Sequence, residues 1–114
     1  MDFNTLRRRR DPHREDCWHI YCDDIHAGTI ALAGRPNGAT EWQWSAGFYP
    51  RSKAGEIKHG TADSFDEARA RFERAWLVFA STRTEADFAE WREHRDWTAE
   101  KYRRRDAGQP VPIR

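Results

Sequence analysis

An α+β fold is predicted: a four-stranded antiparallel meander, one face covered by two C-terminal helices, preceded by a disordered basic arm. Three observations predict it. Between residues 17 and 61, runs of strand formers alternate with turn signals. From residue 64 the apolar period changes from two to about 3.6, with a cap before each of two long segments. Residues 1–16 are mostly charged, contain Pro12 and show no apolar period. The expected organisation is an arm over 1–16, one α+β domain over 17–107 and a tail over 108–114.

Trp18 to Cys22 alternates and is followed by Asp23-Asp24, a two-residue turn into Ile25 to Leu32. The register of this hairpin is ambiguous. Pairing Cys22 with Ile25 leaves Ile30 and Leu32 on the opposite parity, unless a bulge at Gly28 switches the face. Gly34 to Gly38 is a loop. In the next strand, Glu41 to Tyr49, Trp42, Trp44, Ala46 and Phe48 share one face. Pro50 to Gly55 connects to a short final strand, Glu56 to Thr61. Ser64 and Glu67 have capping-box spacing, and Phe65, Ala68, Phe72, Ala75, Trp76 and Phe79 then lie in one stripe at helical period. Leu77 and Val78 fall outside it, so the last turn is expected to be apolar all round and covered. Thr84 caps a second helix that runs to about Ala107 and is stopped by Gly108 and Pro110.

The 114 residues carry Lys+Arg 20 against Asp+Glu 19, a net charge of +1, which is too small to steer a polyanion over distance. Only 38% are hydrophobic, yet 13% are aromatic, and large rings supply the area for a core. No run approaches the ~18 apolar residues of a membrane span, and the N-terminus has no apolar signal segment, so a cytoplasmic protein without a membrane partner is expected. Charge is uneven along the second helix. Residues 84–100 hold six acids and two Arg, whereas 101–105 hold Lys101, Arg103, Arg104 and Arg105. That order matches the helix dipole.

Cys17, His19, Cys22 and His26 invite a metal reading. Strand parity puts Cys17 and His19 on one face and Cys22 on the other, so the four do not converge and neither metal nor a disulfide is expected. Cys22, His26 and Asp24 bracket the turn without a recognisable oxyanion site, and no phosphate-binding loop follows a strand. No catalytic residue, cofactor or enzyme activity is expected.

Two binding functions remain. Trp97 lies about 180° from Phe88 on the second helix, among polar residues, and Trp, Tyr and Arg favour interfaces. Trp97, Lys101, Tyr102, Arg103, Arg104 and Arg105 are therefore the candidate surface of a protein-interaction or regulatory module. Its partner is a heterologous protein or a second copy in a homodimer. The alternative is nucleic-acid binding, with Arg7, Arg8, Arg9, Arg10, Arg51, Lys53 and Lys58 on the backbone. Trp42-Gln43-Trp44, Gly55 to Thr61 and Ser64 to Trp76 together resemble the small sheet-plus-helix DNA-binding domains at the N-termini of phage-type integrases, over about a third of the chain. The resemblance implies DNA contact through Arg and Lys on the exposed sheet face, where this chain has Glu41, Gln43 and Ser45 instead.

Overall fold

The computed structural model describes residues 2–49 and 52–110. Strands β1 (Leu6–Arg10), β2 (Cys17–Cys22), β3 (Ile25–Gly34), β4 (Thr40–Ala46) and β5 (Lys58–Ala62) form one antiparallel sheet in chain order, followed by helices α1 (Phe65–Ser81) and α2 (Glu85–Asp106). The sheet has five strands, not four. Leu6–Arg10, expected as part of a disordered arm, pairs with β2 from Leu6 opposite Cys22 to Arg10 opposite Trp18. Charge hides the alternation. Arg8 and Arg10 stand on the same side as Leu6 and lay their guanidinium groups over the Trp18 ring, at 4.6 and 4.8 Å. A long Arg stem with a cation–π contact does there what an apolar side chain would do, while the charge keeps the sheet edge from pairing with another sheet.

Gly28 settles the hairpin register. Cys22 pairs with Ile25 and Tyr21 with His26, but Ile20 pairs with Gly28, so Ala27 is the extra residue of a bulge. Ile25 before the bulge, Ala27 in it and Ile30 after it are all fully buried on the inner face. Gly28 sits at φ +154°, and a Cβ there would fall 1.9 Å from the Ser45 carbonyl oxygen and 2.7 Å from the Phe72 ring. Glycine is required by space as well as by backbone. At the turn itself, Asp23 takes a left-handed φ of 54°, which short polar residues tolerate.

Helix α1 covers the inner face. Ala68, Phe72, Trp76, Phe79 and Ala80 are buried, at the spacing the sequence predicts. Ser64 Oγ accepts from the Glu67 amide at 3.1 Å, while the Glu67 carboxylate turns to Arg71 rather than back to the cap. Trp44 lies flat over Gly60 on the neighbouring strand. Leu77 and Val78, expected to be covered, are exposed, because none of the described residues covers the outer side of the last turn of α1. The final strand begins two residues later than expected, at Lys58, after a turn through Ala54 to Glu56.

Helix α2 opens with a complete capping box: Asp87 N–H donates to Thr84 Oγ1 and Thr84 N–H to Asp87 Oδ2. Phe88, buried, stacks on Phe3 at 5.6 Å and meets Phe48 at 5.6 Å; Trp91 meets Phe48 at 6.3 Å. One turn later Arg92 and Arg95 both bind Asp24, in the β2–β3 turn. Past Arg95 the helix leaves the sheet. The molecule is 46 Å long with a radius of gyration of 16.0 Å, against roughly 13 Å for a compact chain of this length.

Two substitutions test the core. Trp76→Ala is expected to cost about 3–5 kcal/mol in denaturant unfolding, and a loss below about 1 kcal/mol would mean the α1 face is misassigned. Gly28→Ala is expected to cost more than about 2 kcal/mol, since the β4 backbone must move to admit a methyl group.

Candidate functional site

The distal half of α2 gathers the residues predicted as an interaction surface. Trp97 is half-buried, with the Lys101 ammonium 5.4 Å from its ring centroid. Tyr102 is exposed, with the Arg105 guanidinium 5.1 Å from its ring. Arg103 and Arg104 both donate to Glu100, at 2.6 and 2.7 Å. The two guanidiniums, Arg103 foremost, hold the Glu100 carboxyl far below its usual range, at about 2. Lys101, Tyr102 and Arg105 are thus ordered by aromatic contacts, and Arg103 and Arg104 by a carboxylate.

The nucleic-acid set does not form one patch. Arg7–Arg10 line the β1 edge, where Arg7 also reaches over Tyr21 at 5.5 Å. Lys58 opens β5, the opposite edge, four strand spacings or about 19 Å away. Lys53 lies in the loop before β5, its amide held by Glu56, and Arg51 lies outside the described residues.

A third group occupies the face of the sheet that no helix covers. His19 bonds Asp11 through Nε2 at 2.7 Å and His26 through Nδ1 at 3.0 Å, with the Tyr21 ring edge-on to His26. Cys17 stands beside them: one donor atom each from Asp11, Cys17 and His19 lies within 4.8 Å of the others. Cys17 and His19 share this face by i,i+2 strand spacing, and the Tyr21–His26 pairing next to the turn puts His26 beside Tyr21 on it. Cys22 faces the core and is fully buried. Asp11 is the residue that sequence reasoning missed. It sits one residue past β1, and only the β1–β2 pairing returns it to His19; its carboxylate also accepts from the His13 amide at 2.8 Å. The His19 bond, with that amide, draws the Asp11 carboxyl below its ordinary value, and burial with the nearby His19 does the same for the His26 imidazole. Burial pushes the Cys17 thiol up, and both His19 nitrogens are engaged in hydrogen bonds.

No family profile, curated protein or solved structure matches this chain. Among the described residues, no helix is long and apolar enough to cross a membrane.

The Asp24 clamp fixes where α2 leaves the body of the protein. Arg92, donating through Nε and Nη2 at 2.9–3.2 Å, and Arg95 hold the Asp24 carboxyl at about 2. A depressed carboxyl contributes stability above its unfolded value, near 4, and loses that contribution as pH falls through about 2. The pair is partly solvated, so Asp24→Asn should cost about 1 kcal/mol at pH 7, and the gap to the parent should close between about pH 4 and pH 2. Equal stability of parent and variant at pH 7 would show that the clamp does not anchor α2.

Proposed function

We propose that this chain is a non-enzymatic interaction module that presents the distal half of α2, and that its partner is a second copy of itself. One observation carries this: among the described residues, the buried side chains of the 22-residue helix, Asp87 and Phe88, lie in its first half, and its distal half holds Trp97, Lys101, Tyr102 and Arg103 to Arg105. An isolated helix of such length is marginal in water, and a polar one needs its own i,i+4 pairs or a packing partner to persist. Charge selects the occupant. The helix is acidic over Glu85 to Glu100 and basic over Lys101 to Arg105, so two copies packed antiparallel set each basic end against an acidic stretch. Trp97 and Tyr102 then supply the apolar contact between them.

A second reading has its own support. Arg7 to Arg10 make no carboxylate contact among the described residues, and three of them rest on Trp18 or Tyr21, an arrangement suited to phosphate contacts along the β1 edge.

Sedimentation of the pure chain tests the first reading. The parent should be dimeric at micromolar concentration and dissociate as salt rises. Trp97→Ala should weaken the dimer by at least about tenfold, or about 1.4 kcal/mol, with helix content unchanged. Reversing Arg103, Arg104 and Arg105 to Glu should give monomer, and reversing Glu85, Glu90 and Glu93 to Lys in the same chain should restore the dimer. A parent that stays monomeric at high micromolar concentration contradicts self-association. Salt-dependent retention of an oligonucleotide, lost in Arg8→Ala/Arg10→Ala, would favour the second reading instead.

A further inference from the structure

We propose that Asp11, Cys17 and His19 form a mononuclear Zn²⁺ site in the β1–β2 hairpin, with the fourth coordination position open on the uncovered face of the sheet. The donor set is one carboxylate oxygen, one thiolate and one imidazole, the mixed borderline-soft set that suits zinc rather than magnesium or calcium. Tetrahedral bonds of about 2.0–2.3 Å put neighbouring donors roughly 3.3–3.6 Å apart. The three donor atoms already lie within 4.8 Å of one another, and the Asp11–His19 hydrogen bond of 2.7 Å need open only slightly for an ion to replace its proton. Two ligands come from alternate positions of one strand and the third from the adjoining turn, so the donors converge without any rearrangement of the sheet.

His26 supplies the outer support that a ligating histidine needs. With the metal on Nε2 of His19, Nδ1–H of the same ring donates to His26 Nε2, which stands 3.0 Å away. That bond fixes the tautomer and the orientation of the His19 ring. Charge closes as well. Asp11 and the Cys17 thiolate offset the two positive charges, and the thiol proton leaves to solvent. A thiol ligates zinc as thiolate, so zinc uptake should release a proton and weaken as pH falls. Cys22 takes no part. It lies on the opposite face, in the core.

Cobalt is the probe, because a thiolate ligand gives Co²⁺ a sulfur-to-metal charge-transfer absorption and tetrahedral geometry gives intense visible bands. The full chain, stripped with a chelator, should take up one equivalent of Co²⁺ with both features, and Zn²⁺ should displace it. Cys17→Ala should abolish the charge-transfer band, and Cys22→Ala should keep it. Asp11→Asn, at the surface of the turn, should lower the affinity at least tenfold with the far-ultraviolet circular dichroism unchanged. His26→Ala should lower it roughly ten- to a hundredfold. Should Cys17→Ala fail to fold, Asp11→Asn decides. A parent chain that takes up no cobalt, a charge-transfer band that survives Cys17→Ala, or an affinity unmoved by Asp11→Asn each overturns the site.

Discussion

The bulge at Gly28 is the constraint on which both faces of this sheet depend. In an unbulged hairpin from the Asp23-Asp24 turn, Ile25 and Ala27 would face α1 while Ile30 pointed to solvent. One extra residue at Ala27 puts all three on the inner face, where they are fully buried. Phe72 can then lie on the sheet because Gly28 leaves room for its ring, and Trp76 and Phe79 follow one and two turns later. Turning Ile30 out of a core this small would forfeit roughly 1.5–3 kcal/mol, a large share of what holds such a domain together. His26, on the turn side of the bulge, pairs with Tyr21 on the outer face in either register.

What was legible in the sequence is what local chemistry dictates. The alternation of Trp42, Trp44 and Ala46, the Ser64 and Thr84 caps and the stop at Gly108 depend on neighbours a few residues away, and each appears as expected. Strand β1 was not legible, because four consecutive arginines carry no apolar period. Its pairing becomes favourable only when Trp18 offers a ring for Arg8 and Arg10. Asp11 was lost with it, since a carboxylate assigned to a disordered arm has no reason to meet a histidine eight residues on. Leu77 and Val78 show the converse: apolar residues at the end of a helix stay in water when the sheet beneath is already covered.

Helix α2 joins the two proposals without making either depend on the other. Its first half belongs to the fold, through Phe88, Trp91 and the Asp24 clamp. The second half is held out from the body by its own ion pairs and ring contacts, Arg103 and Arg104 with Glu100 and Lys101 with Trp97. Partner binding at that end and metal binding in the β1–β2 hairpin use different elements, so loss of one leaves the other measurable.

The account rests most heavily on the register beyond the bulge, and nuclear Overhauser contacts between backbone protons across β2 and β3 read it directly. The bulged sheet places Trp18 opposite Ile30 and Cys17 opposite Ala31, and cross-strand contacts should join those pairs. Contacts joining Trp18 to Thr29 and Cys17 to Ile30 would mean an unbulged hairpin, with Ile30 turned out to solvent and the inner face described here dismantled.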